Sequence, residues 1–196
     1  MQATRGTPIA LRPATADGSH VGLRLVFALV ALVGLVTDVL TKVLAVSQLD
    51  PARPIRLLDG LLTLRLIRNP GAAFSVGEQY TFVFALLSAA VLLFVVLRLA
   101  PQLGHPGWAV ALGLLCAGVG GNLADRLFRS PAFLRGHVVD FLQLPYWPIF
   151  NVADICITSA AVLILVLSIV KNTGIDGRRG NAAPGTAAEL EQGQRD

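Results

Sequence analysis

Apolar residues run through this chain in four long stretches, and polar residues enter those stretches mainly near their ends. The stretches cover about Val21 to Val46, Gln79 to Leu97, Trp108 to Arg126 and Asn151 to Val170. Each is roughly 20 residues, the length of an α-helix that crosses the hydrocarbon core of a bilayer. Lipid offers no partner for backbone N–H and C=O groups, so each stretch is predicted to be helical. The second carries no charge at all. No internal repeat relates the four.

The connections differ in length and pattern. Pro101 and Pro106 punctuate a short link between the second and third spans. A longer connection joins the first and second. Its segment from Ile55 to Phe74 alternates apolar with polar residues, most clearly in LTLRLI, which predicts one or two short strands. Connections of this length are usually functional. The segment between spans three and four holds Phe133, Phe141, Tyr146, Trp147 and Phe150, the aromatic character of an interfacial loop or helix. Residues 1–20 and 172–196 lack periodicity and read as disordered tails around a membrane domain at 21–171. The late start of the first apolar stretch, and its continuation into Asp38 and Lys42, argue against a cleaved signal peptide. The expected fold class is therefore an all-α membrane protein of four transmembrane helices, with a small β-rich segment outside the membrane.

Composition agrees. Hydrophobic residues make up 54% of the 196 and charged residues only 14%, too apolar for a soluble domain of this size. The net charge of +4 is scattered rather than massed into a stripe. Membrane lipids are the expected contact for it, and a nucleic-acid partner is not expected. Lys and Arg divide eight against eight between the two sides of a four-span layout, so charge bias does not orient the chain. Cys116 and Cys156 lie inside apolar stretches and read as small packing residues, with no spacing for zinc or a disulfide framework.

Polar residues collect on one membrane face. In an up-and-down layout Asp38 and Lys42 end span one, Asn122, Asp125 and Arg126 end span three, and Asn151 and Asp154 begin span four. Asn69 and Asp140 sit in the two long connections on that same face. The opposite face offers only Arg98, His105 and Lys171 near span ends. Ionisable groups at hydrocarbon are expensive, so such a cluster marks a functional site. Asp38 and Lys42 are spaced i,i+4 and can pair, while Asn151 and Asp154 share a helix face at i,i+3. Gly118, Gly120 and Gly121 allow close approach of another helix or a substrate chain.

The motifs of zinc proteases and of serine hydrolases, HExxH and GxSxG, are absent. Carboxylates remain: Asp38, Asp125, Asp140 and Asp154. Two carboxylates held together share one proton; one then activates water while the other polarises a carbonyl. Such chemistry requires no metal and no organic cofactor.

Five blocks carry a resemblance: Asp38–Lys42 (DVLTK), Arg68–Phe74 (RNPGAAF), Gly121–Arg126 (GNLADR), Val138–Phe141 (VVDF) and Phe150–Asp154 (FNVAD). In this order they resemble the signature blocks of lipoprotein signal peptidases, over about Val21 to Lys171. The resemblance implies an aspartic endopeptidase that cuts diacylglyceryl-modified prolipoproteins immediately before the lipidated cysteine. It implies Asp140 and Asp154 as catalytic residues. Asp38, Lys42, Asn69, Asn122, Asp125, Arg126 and Asn151 become the supporting polar set. It further implies sensitivity to globomycin, a bacterial cytoplasmic membrane location, termini inside, and an active site near the outer face.

Plainer roles stand beside these. Asn151 and Asp154 together look like a helix cap. Asp38–Lys42 and Asp125–Arg126 read as structural charge pairs, Asn69 as a turn residue or a contact to substrate backbone, and His137 as an interfacial surface residue. Ser75 with Lys42 would be the alternative nucleophile pair. Competing functions are a small transporter, a metal-dependent lipid-modifying enzyme, or an assembly factor. A transporter would line a path with its polar groups rather than gather them at one face.

Overall fold

The computed structural model describes residues 16–71 and 80–180. Among them, four helices are long and apolar enough to cross a membrane: His20–Gln48, Thr81–Gln102, Pro106–Phe128 and Val152–Val170. Helix α1 spans Ala16–Gln48. Helix α2 covers Thr81–Phe94 and continues through a π turn and a short 3-10 turn to Gln102. Helix α3, Pro106–Phe128, opens with a proline at its first turn, where a missing N–H loses no hydrogen bond. Helix α4 covers Val152–Leu165 and continues to Val170.

Helix α3 is the central one. Over its apolar window 56% of the residues are buried, against 6% for α1, whose Leu25, Leu29, Leu32 and Leu40 face outward as a lipid-contacting side must. Lipid gives helices no hydrophobic reason to associate, so close packing of small residues has to do it. A β-carbon on Gly118 would strike the backbone oxygen of Ala153 in α4, and one on Gly121 would strike the carboxylate of Asp38 in α1. Those two glycines let α1, α3 and α4 converge at the end of the bundle where the polar residues lie.

A three-stranded antiparallel sheet caps that end, with β1 (Ile55–Leu57), β2 (Leu62–Asn69) and β3 (Val138–Gln143) in the order β1-β2-β3. Strand β3 differs from expectation. It comes from the segment read as an interfacial loop or helix, and VVDFLQ pairs instead with β2, placing Asp140 opposite Ile67 and Val138 opposite Asn69. Val138 to Phe141 is buried on both faces, so it lacks the alternation that marks a half-exposed strand. Leu66, Val139 and Phe141 pack on Ala45 and seal the sheet onto the end of α1.

Both tail boundaries move. Residues 16–20, read as tail, are helical. Beyond Lys171 the chain folds back rather than leaving: Thr173 bridges Arg179, Trp108 Nε1 donates to Thr173 O at 2.9 Å, and Gly104 N donates to Ile175 O at 2.9 Å. Residues 1–15, 72–79 and 181–196 lie outside the described residues, and with them Phe74 and Ser75.

Candidate active site

Strand β2 delivers Asn69 and strand β3 delivers Asp140 to one spot above the bundle. Asn69 Nδ2 donates to Asp140 Oδ2 at 2.9 Å, and Asn69 Oδ1 accepts from Gly71 N at 2.9 Å. Gly71 has φ of 108°, a backbone state that L side chains rarely adopt, and the turn after Pro70 requires it. The Asx turn thus holds the Asn69 amide with its N–H toward the carboxylate.

Helix α4 delivers Asn151 and Asp154. They form a reciprocal capping box: Asn151 Oδ1 accepts from Asp154 N at 3.0 Å, and Asp154 Oδ2 accepts from Asn151 N at 3.1 Å. The Asn151 amide then has its N–H groups left over. One reaches Asp140 Oδ1 at 2.6 Å and another lies 3.2 Å from Asn122 Oδ1. Asn122 Nδ2 in turn donates to Asp154 Oδ1 at 3.0 Å. Both aspartates are therefore hydrogen-bonded to the same residue, Asn151. The cap reading and the site reading describe one piece of geometry.

Beneath them lies Lys42, fully buried. Its ammonium has three N–H groups and three partners: Asp38 Oδ2 at 2.8 Å, Asp125 Oδ2 at 2.9 Å and Asn122 Oδ1 at 3.0 Å. Asp38 also accepts from Ala153 N at 2.8 Å, which fixes the first turn of α4 to α1. Asp125 does not pair with Arg126 as expected. Its carboxylate takes Lys42, Arg129 and, at 3.1 Å, the backbone N–H of Val139. Neighbours at i,i+1 point to different sides of a helix, whereas Arg129 at i+4 shares a side. The bond to Val139 N pins the residue next to Asp140.

Arg126 has a different place. Its Nη1 donates to Asn122 O at 3.0 Å, its Cζ lies 6.0 Å from the Phe84 ring centroid, and its buried Nε has no partner among the described residues. Arg129 was missed from the sequence, although its i,i+4 spacing from Asp125 was visible there. His137 is in the described part, and its backbone N–H donates to Ser130 O. Ser75 lies outside it.

Electrostatics set the two aspartates apart. Asp140 is 3% exposed, and burial pushes its carboxyl up to about 6. The charge on Asp154 raises it further, while the amides of Asn69 and Asn151 and the charge on Lys42 oppose the rise. Asp154 is half-buried and lines an apolar groove of about 280 Å³ with Leu144, Trp147, Phe150, Ile155 and Thr158. A larger cleft of about 750 Å³ lies over the sheet between Arg56, Arg65 and Tyr146, and it contains neither Asp140 nor Asp154. The aspartates, not that cleft, are the candidate site, since chemistry and not volume defines it. Among the described residues no three His, Cys, Asp or Glu side chains gather as a metal-binding group.

Asp140 and Asp154, joined through Asn151, form a candidate acid–base pair, and Asp154 opens on an apolar groove. Comparison with known proteins points the same way. The profile of the family described as "Signal peptidase (SPase) II" matches residues 30–170. The chain is 46% identical over 147 residues to the lipoprotein signal peptidase of Rhodococcus jostii, covering 75% of this chain and 74% of that one. It is 44% identical over 178 residues to that of Mycolicibacterium smegmatis, covering 89% and 72%. Among solved structures, a bacterial membrane enzyme determined by the in meso method at 1.9 Å superposes with a TM-score of 0.58. That match has 25% identity over 79% of this chain and 94% of the other. A second such structure, at 2.3 Å, gives the same TM-score at 23% identity, over 86% of this chain and 96% of that one.

Proposed function

The chain belongs to the signal peptidase II family of bacterial multi-pass membrane proteases, and we propose that Asp140 and Asp154 are the aspartic pair by which it cleaves lipidated prolipoproteins. The observation that carries this is the double hold of Asn151, whose amide N–H bonds Asp140 and whose backbone N–H bonds Asp154. One rigid residue sets the relative position of two carboxylates, as shared activation of a single water demands.

The substrate's signal segment lies along the groove beside α4 with its acyl chains in lipid. Asp140, whose burial favours the protonated form, holds the shared proton and donates a hydrogen bond to the scissile carbonyl oxygen. Asp154, open to the groove, takes a proton from water as the water oxygen attacks the carbonyl carbon. Collapse of the tetrahedral intermediate breaks the C–N bond, and a proton passes to the departing α-amine of the lipidated cysteine. The two carboxylates titrate as a unit, so each turnover returns one proton to the pair. Asn69, Asn122 and Asn151 orient the pair, and Asp38, Lys42 and Asp125 lock the helices that carry it. The free donors of Arg126 serve the substrate's backbone carbonyls. On this reading the sheet and the active site face outward from the cytoplasmic membrane, both termini lie inside, and a globomycin-type inhibitor occupies the same groove. The membrane domain, with the turn after Lys171 docked on it, is the catalytic unit.

The test is cleavage of a purified diacylglyceryl-modified prolipoprotein, with and without chelator, by wild type, Asp140→Asn and Asp154→Asn. Cleavage that survives chelator and disappears in both folded variants is expected. Substantial cleavage by either variant refutes the pair, and loss with chelator moves the reading to a metal-dependent hydrolase.

A further inference from the structure

The end of the bundle away from the aspartates also carries a built feature. There the chain after α4 turns back through Thr173–Arg179 and docks on the start of α3, with Ile175 packed against the apolar core. Between this turn and the helix ends is a cavity of about 520 Å³, lined by His105, Val170, Lys171, Thr173, Gly177 and Arg179. Lys171 directly follows the span that ends at Val170, and His105 directly precedes the one that begins at Pro106. The cavity therefore sits at the depth of lipid headgroups.

Its chemistry is that of an anion site. Lys171 and Arg179 line it, and neither has a carboxylate within ion-pair distance among the described residues, whereas Arg178 is engaged 3.5 Å from Asp176. Thr173 Oγ1 is spent on Lys171 O at 3.0 Å. His105 Nδ1 accepts from Gly107 N at 3.1 Å, which places the proton of the neutral ring on Nε2 and makes it a donor. Arg24 and Arg98 add charge around the same end of the bundle: Arg24 donates to Pro101 O at 3.1 Å, and Arg98 lies in the last turns of α2. We propose that this cavity binds the phosphate headgroup of an anionic phospholipid, with Lys171 and Arg179 as its cationic contacts. Lys and Arg side chains held at the membrane surface attract anionic headgroups in this way.

The experiment is native mass spectrometry of the full chain in detergent micelles doped with equal phosphatidylglycerol and phosphatidylcholine, with an arm containing inorganic phosphate. Two cations at roughly fivefold each predict about twenty-five-fold preferential retention of phosphatidylglycerol. Lys171→Gln with Arg179→Gln brings the ratio close to parity, and Arg178→Gln, whose side chain does not line the cavity, leaves it nearly unchanged. If the double variant does not fold, each single change lowers the preference about fivefold. No preference in wild type, or an undiminished one in the variants, overturns the proposal. Displacement of the lipid by millimolar inorganic phosphate overturns the lipid source and assigns the cavity to soluble phosphate.

Discussion

Replacing Lys42 by Met tests whether the buried charges beneath the aspartates act as one network. Met has nearly the volume of Lys and packs without leaving a hole, so the change is electrostatic. It strands Asp38, which keeps only the Ala153 N–H, and weakens Asp125, which keeps Arg129 and the Val139 N–H. Removing one partner of a buried ion pair costs about 3–5 kcal/mol, because the desolvated charge left behind is uncompensated. At about 2–4 °C per kcal/mol for a chain of this size, Tm falls by about 6–20 °C. The assay is thermal unfolding in one detergent, followed by tryptophan fluorescence in a Trp147→Phe background, so that Trp108, buried at the far end of the bundle, reports global loss of packing. The control is the triple variant Lys42→Met, Asp38→Asn, Asp125→Asn. An amide at 38 still accepts from Ala153 N, an amide at 125 still accepts from Val139 N, and Arg129, with 21% of its side chain exposed, is free to turn to solvent. The triple variant therefore recovers more than half of the lost Tm. Its activity does not return, since Asn122 has lost the ammonium that orients it toward Asp154. A Lys42→Met protein within about 2 °C of wild type, or a triple variant less stable than the single, refutes the reasoning.

Three further outcomes follow from the geometry. Because burial holds the Asp140 carboxyl up to about 6, the folded chain binds that proton more tightly than the unfolded chain does. The resulting stabilisation is full below about pH 4 and lost as pH rises through about 6. Asp140→Asn, which does not titrate, should therefore gain on wild type by about 3 kcal/mol between about pH 4 and pH 7 in equilibrium unfolding. Above about pH 6 kcat/KM of wild type should decline, approaching tenfold per pH unit once the shared proton is gone. Gly118→Ala and Gly121→Ala, whose new methyl groups strike Ala153 O and the Asp38 carboxylate, should each cost about 1–3 kcal/mol, while Gly120→Ala, with only Leu35 Cδ1 at 3.7 Å, should be neutral in the same melts. Asn151→Ala removes the cap of α4 and the bond to Asp140 together. It should cost about 1 kcal/mol of stability, yet lower kcat by a factor of a hundred or more, on the order of a lost positioning contact.

The spans were legible because lipid imposes two conditions that any sequence must show: about 20 apolar residues and a polar group only where something receives it. The gathering of Asp38, Asn122, Asp125, Asn151 and Asp154 at one end followed from span order alone. Strand β3 was not legible, since Val138 to Phe141 is buried on both sides and its aromatic neighbours suggested a membrane interface. The turn after Lys171 was hidden for the opposite reason: its glycines and charges have the composition of a tail, and what ties it down is Ile175 in the core, the Trp108 bond to Thr173 and backbone hydrogen bonds to Gly104 and Leu167.

Partner choice within the cluster is the deeper case. Spacing correctly paired Asp38 with Lys42, where both lie on one helix. It paired Asp125 with Arg126 wrongly, because adjacency in sequence is not adjacency on a helix surface. What selects Lys42 for Asp125 is the approach of α1 to α3, and that approach is set by Gly121, a residue with no polar chemistry at all. The ammonium then takes Asn122 as its third partner, Asn122 takes Asp154, and Asn151 joins Asp154 to Asp140. The polar residues can be counted from the sequence, but their order of connection is decided by how closely two backbones approach.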